Sequence, residues 1–258
     1  MKRKLSEIFY FFLATVIKLR LIFYKLKNSN KPSIFIFTDS RGFDVTKITH
    51  KYNPFSWYTK YFIKNYKADV YVCPERTTTV YDFLEYYHNT KKQYKFVLAH
   101  IGVVDFASRP ISQNIEILES KKSKIIGFFG EEIYQRLIDF KGYSEEYNGE
   151  KTSSTVPEFM VELIATEFNK IENLIWISCN DVDLNWVGNY KKRPSNSGMI
   201  LEKSKMMLAF LKNSTILDLT KLSYSEIHEY TCDNVHLTKK GSRFILDNLN
   251  ELIEKKYN

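Results

Sequence analysis

Three polar residues at opposite ends of the chain have the types and spacing that nucleophilic chemistry needs. Ser40 follows an apolar segment at residues 33–37, within the sequence Thr-Asp-Ser-Arg-Gly. Asp233 and His236 lie three positions apart, directly before a segment with helical periodicity. In a turn, this spacing can place the carboxylate beside one imidazole nitrogen while the other nitrogen accepts the proton of a serine hydroxyl. Each feature alone would be an ordinary helix cap, turn residue or surface histidine, but their conjunction predicts a Ser-His-Asp triad.

The segments that must position these residues alternate between short apolar runs and helical patterns. The predicted strands are residues 33–37, 69–72, 96–100, 174–178 and 215–219. The predicted helices are residues 54–66, 80–87, 112–140, 157–170, 199–211 and 238–255. This order favours an α/β fold, a three-layer sandwich with a central, mostly parallel five-stranded sheet. Because such sheets bind ligands at the carboxyl ends of their strands, residues directly after each strand are candidates for a functional site.

The first 31 residues differ in composition from the rest of the chain. They carry eight basic side chains against the single acidic Glu7, so they hold almost all of the net charge of +8. The remaining chain is close to neutral, which argues against a basic groove for nucleic acid. We therefore predict a basic and apolar N-terminal helix at residues 1–31 and one α/β domain at residues 32–258.

The apolar run at residues 8–17 has two interpretations. Lys18 and Arg20 interrupt it before it reaches the roughly 20 residues that a bilayer span needs. A secretory signal is disfavoured because no small-x-small cleavage site follows. Aromatic and aliphatic residues flanked by Lys and Arg are typical of a helix on an anionic membrane surface, and the alternative is a helix packed on the domain or on a partner subunit. The first interpretation predicts a cytoplasmic protein bound peripherally to the inner membrane surface.

Neither a disulfide framework nor a metal site is indicated. The three cysteines are odd in number, far apart and without paired ligand spacing, at Cys73, Cys179 and Cys232. A polar cluster at residues 180–183 is too weak a signal to predict a metal ion, and a Ser-His-Asp triad requires no cofactor. We expect structural roles for the remaining histidines, which have no partner at recognisable spacing: His50, His88, His100 and His228.

From residue 33 to residue 245 the order and spacing of these features resemble the SGNH, or GDSL-like, hydrolase family. The family's nucleophile block corresponds to Thr38-Asp39-Ser40, with Thr38 in place of the usual glycine. Its third block corresponds to residues 102–105 and its last block to Asp233 and His236. The resemblance implies a flavodoxin-like sheet and acyl-ester chemistry by the triad. It also implies that Asp39 holds the turn and that Asp105 orients a loop rather than reacting.

Two residues that give the family its name have no counterpart here. Val104 stands in the place of the oxyanion-hole asparagine, and the second-block segment, residues 73–79, contains no glycine. Losing one oxyanion donor typically lowers the rate by about 10²- to 10³-fold, so other groups must stabilise the negative charge or the protein is slow or inactive. Backbone N–H groups of Ser40 and of residues 76–79 are candidates. The candidate residues for oxyanion or substrate binding are Gly102, Asp105, Arg109, Arg76 and Asn180, with the Arg41 side chain as a further donor.

The resemblance implies a serine-dependent acyl-ester hydrolase that acts on an O-acylated carbohydrate of a bacterial surface glycan. A glycan O-acyltransferase is the first alternative, because a sugar hydroxyl can resolve the same acyl-enzyme in place of water. The second alternative is a catalytically silent glycan-binding or scaffold protein of the same fold. The absent asparagine and glycine favour that alternative, and the three retained triad residues disfavour it.

Overall fold

The chain forms a five-stranded sheet covered by helices. The structure is a computed structural model, and it describes residues 2–186, Gly188 and residues 199–257, with the side chains of the first helix from Phe12 onward. Its strands are β1 (Ser33–Thr38), β2 (Lys67–Val72), β3 (Phe96–His100), β4 (Arg109–Pro110), β5 (Glu146–Tyr147), β6 (Glu150–Ser153), β7 (Leu174–Ile177) and β8 (Thr215–Leu217). Its helices are α1 (Lys2–Lys27), α2 (Thr59–Asn65), α3 (Val80–Thr90), α4 (Val103–Phe106), α5 (Ile111–Ser120), α6 (Lys122–Phe129), α7 (Glu131–Ile138), α8 (Glu158–Asn169), α9 (Met199–Phe210), α10 (Tyr224–Tyr230) and α11 (Lys239–Tyr257).

The central sheet has the strand order β2-β1-β3-β7-β8, and every neighbouring pair is parallel. Successive side chains of a strand point to opposite faces, and strand β1 shows the consequence. Phe35 and Phe37 enter one hydrophobic cluster with residues of α3, α8 and α9, whereas Ile34 and Ile36 enter a second cluster with residues of α2 and α11. The predicted three-layer α/β sandwich with a parallel five-stranded sheet is therefore confirmed.

The register of the sheet brings the loops after β1, β2 and β3 to one edge. Thr38 at the end of β1 is paired with Val72 of β2 and with His100 of β3. The hydrogen bonds continue past the strands, since Asp39 N–H donates to the His100 carbonyl at 3.0 Å and Cys73 N–H donates to the Thr38 carbonyl at 2.9 Å. The residues that follow these three strands are thus neighbours.

The single long helix predicted at residues 112–140 is wrong, because the segment forms the three shorter helices α5, α6 and α7. The break between α5 and α6 falls at Lys121, whose side chain is 2% exposed and pairs with Glu75 and Asp82. The break between α6 and α7 falls at Gly130, which has a positive φ of 86°. Beyond these helices, β4, β6 and β5 form a small antiparallel sheet that the sequence did not predict.

Helix α1 packs one of its faces on the domain. Asn28, directly after it, is 1% exposed. Its amide donates to three carbonyls at the end of α2, at 3.0, 3.2 and 2.8 Å. Lys25 forms an ion pair with Asp69, and the Arg20 guanidinium lies 4.1 Å from the centre of the Phe55 ring. Among the described residues, no helix has both the length and the apolar character needed to cross a membrane.

Candidate active site

Ser40 lies in a tight turn at the carboxyl end of β1. After the strand ends at Thr38, residues Ser40–Gly42 form one turn of 3-10 helix. The Asp39 carboxylate caps this turn by accepting the Arg41 backbone N–H at 2.9 Å. The expectation that Asp39 holds the turn is confirmed. The turn leaves the Ser40 side chain only partly buried.

A buried ion pair flanks Ser40. Asp39 and Arg41 are 2% and 1% exposed, and the guanidinium donates from Nε to Oδ1 at 3.0 Å and from Nη2 to Oδ2 at 2.9 Å. Nη1 also donates to the Ser178 carbonyl, at the end of β7. Burial is the largest single influence and lowers the pKa of Arg41, but the charge and hydrogen bond of Asp39 together with the nearby Cys179 and Tyr58 outweigh it, so the net shift is upward. The prediction of Arg41 as an oxyanion donor is wrong, because its guanidinium is buried against Asp39 and Ser178.

Asp233 and His236 lie in a short loop between α10 and α11. A bridge between Thr231 and Leu237 closes the loop, and the Cys232 N–H donates to the His236 carbonyl at 2.8 Å. Inside it, Asp233 Oδ1 accepts the backbone N–H groups of Val235 and His236 at 3.1 and 2.7 Å. These bonds hold the carboxylate in place independently of its contact with the imidazole. We call residues 231–237 the catalytic loop, after the role that the sequence predicts for Asp233 and His236.

The catalytic loop places the His236 ring between Asp233 and Ser40. His236 Nδ1 is 2.6 Å from Asp233 Oδ2, and His236 Nε2 is 2.9 Å from Ser40 Oγ. The imidazole is 16% exposed and the Asp233 side chain 5% exposed, so the ring is the more accessible of the two. Burial raises the pKa of Asp233, but the hydrogen bonds and charge of His236 lower it by more, which keeps the carboxylate ionised at neutral pH. This geometry allows His236 to take the Ser40 proton while Asp233 fixes the tautomer.

The loop after β3 contains Val104, which stands where the resemblance would place an oxyanion-hole asparagine. Gly102 has a φ of 122°, and a Cβ at this position would lie 3.1 Å from Cys179 Sγ. The turn into α4 therefore requires glycine. Val104 offers no side-chain donor, but its carbonyl accepts a hydrogen bond from Arg109 Nη2 at 2.6 Å. The structure thus holds the Arg109 guanidinium against the residue at which the donor is absent.

Asp105 is fully buried and joins three segments of backbone. Its Oδ1 accepts the Val80 N–H at the start of α3 at 3.0 Å. Its own carbonyl accepts the Val156 N–H at 3.1 Å and the Thr155 hydroxyl at 3.2 Å. Burial raises the pKa of Asp105 to about 7. With 0% exposure Asp105 is closed to solvent in this structure, and its hydrogen bonds are those expected of a residue that orients a loop.

Asn180 follows β7 and is 5% exposed. Its side-chain nitrogen donates to the carbonyls of Asp181 at 2.7 Å and Asn234 at 2.8 Å. An amide carries two N–H donors, and both are engaged. In this structure the Asn180 amide thus donates within the protein. Its bond to Asn234 connects the end of β7 to the catalytic loop.

The loop after β2 occupies the place of the second family block without a glycine. Cys73 and Thr77 adopt left-handed conformations there, with φ of 44° and 57°. The Thr79 N–H donates to the Asp82 carboxylate at 2.8 Å in a capping box, which removes it from the candidate oxyanion donors. Arg76 is exposed in this loop. Nothing in its position conflicts with the prediction that it binds substrate.

A second histidine-carboxylate contact supports the catalytic loop. His228 Nε2 lies 2.8 Å from Asp183 Oδ2, and the ring centres of Trp186 and His228 are 4.2 Å apart. Asp183 N–H donates to Asn234 Oδ1 at 2.9 Å, and Asn234 Nδ2 donates to the Trp186 carbonyl at 2.6 Å. His228 has the structural role that we predicted, but the sequence missed its partner. Asp183 lies 45 positions away, so no local spacing could have indicated the contact.

A groove of about 800 Å³ lies beside the catalytic loop, between α2 and α11. Cys232 and Leu237 of the loop and Asp44, shortly after the Ser40 turn, line it. Its wall also carries three aromatic and five cationic side chains: Trp57, Tyr58, Tyr61, Lys47, Lys60, Lys64, Lys239 and Arg243. Ser40 and His236 are not among the lining residues, so the groove flanks the reactive atoms. Within the described part of the chain, no cluster of three or more His, Cys, Asp or Glu residues is suited to hold a metal ion.

Comparisons with known proteins find only distant similarity. No family model and no curated protein matches the chain. A solved structure from Lactobacillus plantarum aligns at 10% identity with a TM-score of 0.45, over 88% of this chain and 98% of that one. A lipase/acylhydrolase from Enterococcus faecalis aligns at 14% identity with a TM-score of 0.46, over 87% and 96%. A salicylyl-acyltransferase from a tetracycline biosynthetic pathway aligns at 9% identity with a TM-score of 0.40, over 87% of this chain and 55% of that one. At these values the similarities do not bear on activity.

Proposed function

We propose that the protein is a serine-dependent acyl-ester hydrolase in which Ser40 is the nucleophile. The observation that carries the proposal is the hydrogen-bond chain from Ser40 Oγ to His236 Nε2 at 2.9 Å and from His236 Nδ1 to Asp233 at 2.6 Å. If Ser40 were only a helix cap and His236 only a surface residue, nothing would require their side chains to contact each other across 196 positions of sequence. A nucleophile with its base and the residue that orients the base requires this contact.

In the proposed reaction, Ser40 Oγ attacks the ester carbonyl carbon while His236 Nε2 accepts the hydroxyl proton. Asp233 stabilises the resulting imidazolium and keeps Nε2 directed at the substrate. The imidazolium then returns the proton to the alcohol oxygen as the C–O bond breaks, which leaves the acyl group on Ser40. His236 next deprotonates a water that attacks the acyl carbon, and the acid leaves as Ser40 regains its proton.

We assign stabilisation of the carbonyl oxygen to the Ser40 N–H and to Arg109. The first N–H groups of a helical turn have no acceptor within the turn, and that of Ser40 opens the 3-10 turn. The Arg109 guanidinium is bonded to the Val104 carbonyl, and Val104 stands where the resemblance places an asparagine. Because one side-chain amide donor is absent, we expect slow turnover of small generic esters. A larger substrate can offset this through binding energy away from the ester.

For the substrate we propose an O-acylated carbohydrate of a bacterial surface glycan. The family resemblance suggests this class, and the groove between α2 and α11 adds physical support. Trp57 and Tyr61 in its wall offer ring faces on which sugars can pack, and Lys60, Lys239 and Arg243 suit the carboxylates or phosphates of an acidic glycan. A groove of about 800 Å³ is large enough for an oligosaccharide beside the ester.

The test compares turnover of an acetyl ester and of an O-acetylated acidic oligosaccharide by wild type, Ser40→Ala and His236→Ala. We expect each substitution to lower kcat/KM by at least about 10³-fold, and the double variant to lose little more, because a triad acts as a unit. Arg109→Ala should lower kcat by about 10²- to 10³-fold, the cost of one oxyanion donor. The exposed Ser225→Ala and His88→Ala serve as matched controls that should retain full activity.

The same assay distinguishes the two alternatives. If acyl groups appear on an added sugar in preference to free acid, the enzyme is an O-acyltransferase with the same triad. If wild type and Ser40→Ala are equally inert with every acyl donor while a glycan still binds, the protein is a silent scaffold and the hydrolase proposal fails. The absent oxyanion asparagine at Val104 is the observation that favours this second outcome.

A further inference from the structure

Exposed apolar side chains are concentrated in one part of the described surface. Among the described residues, nine of the twelve large apolar side chains that face solvent lie within residues 12–52. Six belong to helix α1, and the other three belong to the loop that follows the Ser40 turn. They are Phe12, Val16, Leu19, Ile22, Phe23 and Leu26 on the helix, and Val45, Ile48 and Tyr52 on the loop.

Five of the helix residues form a continuous stripe. Phe12, Val16, Leu19, Phe23 and Leu26 follow the spacing i, i+4, i+7, i+11 and i+14, which places them along one side of a helix. They are 51% to 69% exposed. The contacts of α1 with the domain come from other residues, including the buried Ile17 and the cations that pair with Asp69 and Phe55. The stripe residues therefore keep more than half of their surface exposed to solvent.

The loop after the Ser40 turn lies against the packed side of α1. Lys51 and Tyr52 line a small cavity together with Leu13, Ile17 and Leu21 of α1, so the loop and the helix are adjacent. Ile48 is 71% exposed in the same loop. We define the α1 face as the five stripe residues together with the exposed Ile22 of the same helix.

The charges around the α1 face are positive. Lys18, Lys27, Lys47 and Lys51 are exposed within or beside it. No acidic residue occurs between Glu7 and Asp39. The nearest acid of the loop, Asp44, is bonded to Thr46 and His50. A second copy of the same face would bring cation against cation, whereas an anionic surface complements both the charge and the apolar stripe.

We propose that the α1 face docks on an anionic phospholipid bilayer, with α1 lying in the plane of the interface. Apolar side chains on one side of a helix, with lysines beside them, are the combination that binds at the boundary between headgroups and acyl chains. This surface does not include Ser40 or His236. The docking is thus independent of the proposed hydrolase activity.

The test measures co-sedimentation of the full chain with vesicles of phosphatidylcholine, with and without phosphatidylglycerol. We expect binding to the anionic vesicles at low salt and its loss as the salt concentration rises. Leu19→Ser with Leu26→Ser should weaken binding by about tenfold or more, because two exposed leucines no longer enter the apolar layer. Leu184→Ser is the matched control, since Leu184 is 54% exposed outside the α1 face, and it should bind like wild type. Ser40→Ala should also bind like wild type, which separates this test from that of the proposed function.

Three results would overturn the proposal. The full chain could fail to bind anionic vesicles at low salt, or the Leu19→Ser, Leu26→Ser variant could bind as well as Leu184→Ser. Alternatively, the protein could sediment as a dimer that this double variant dissociates, without binding vesicles, which would make the α1 face an interface between copies. Because both leucines are exposed, the thermal midpoint should not change. Lys18→Gln with Lys51→Gln provides a second readout, with weaker binding at low salt.

Discussion

Ser40 lies between two residues with opposite buried charges, Asp39 and Arg41. Removing one partner of such a pair typically costs about 3–5 kcal/mol, because the other charge stays buried without compensation. The pair therefore stabilises the turn that carries Ser40. The motif Thr-Asp-Ser-Arg-Gly predicted that Asp39 holds the turn through local backbone bonds. It did not predict that Arg41 is buried, since that depends on the Ser178 carbonyl of a strand far along the chain.

Asp105 should make the stability of the protein depend on pH. Burial raises its pKa to about 7, whereas in the unfolded chain an aspartate ionises near about pH 4. Between these values the folded state binds more protons than the unfolded state, so the free energy of unfolding should fall as the pH rises from about 4 to about 7. We expect Asp105→Asn to reduce this fall. Urea unfolding at several pH values between about 4 and about 7 measures the free energy of unfolding of both proteins.

The exposed Asp247→Asn is the control for this measurement and should keep the pH dependence of wild type. An Asp105→Asn variant with the same dependence as wild type would show that Asp105 is not the group responsible.

At the scale of elements, the catalytic loop is positioned by neighbours that approach it closely. Gly188 has a φ of 58°, and a Cβ at this position would lie 2.3 Å from the Cys232 carbonyl oxygen and 2.9 Å from Asp233 Cα. Gly188→Ala must therefore displace the backbone that carries the triad carboxylate. Since a displacement of about 1 Å can cost roughly 10²-fold in rate, we expect kcat to fall by at least about tenfold.

Gly149→Ala is a matched control for this prediction. Gly149 also has a positive φ, of 84°, but an added Cβ would have no atom within 4 Å. Backbone strain should cost both variants about 1–2 kcal/mol of stability, and the displaced loop should add to this cost in Gly188→Ala. Only Gly188→Ala should lose activity. Equal activity of the two variants, measured with the acetyl ester, would show that Gly188 does not position the loop.

The five central strands could be predicted from the sequence to within about two residues, because a buried parallel strand is a continuous apolar run bounded by polar residues. The long helix at residues 112–140 could not be divided correctly, since its breaks depend on the buried partners of Lys121 and on the conformation of Gly130. Helix α10 was also missed. Its capping box between Ser223 and Glu226 was the available signal.

At the scale of the whole molecule, the topology explains why the triad assembles. Strand β1 is an interior strand of the sheet, between β2 and β3, and α11 packs on one face of the sheet through the cluster that contains Ile34 and Ile36. The turn after β1 and the loop before α11 therefore meet at one edge, although the sequence separates them by nearly the whole domain.

The triad residues could be predicted because each lies in a recognisable local motif. The contacts of Asn180 and of Asp183 with the loop could not, because they exist only in the folded chain.

For helix α1, the sequence could not predict which face packs on the domain and which faces solvent. Its composition gave two interpretations, a membrane-surface helix or a helix packed on the domain. In the structure one face packs on the domain through residues such as Ile17 and Asn28, while the stripe that includes Leu19 and Phe23 faces solvent. Helical periodicity alone could not separate the two faces, because apolar residues occur on both.

The central claim is that His236 activates Ser40 for covalent chemistry, and labelling with a fluorophosphonate tests it most directly. The reagent bonds to an activated serine with loss of fluoride, so intact mass and peptide mapping identify the residue. We predict one adduct, on Ser40, which is absent in Ser40→Ala and unchanged in Ser225→Ala. In His236→Ala the adduct should form at least about 10³-fold more slowly. A wild-type protein whose Ser40 stays unlabelled under conditions that label a known serine hydrolase, or a His236→Ala variant that is labelled as fast as wild type, would contradict the claim.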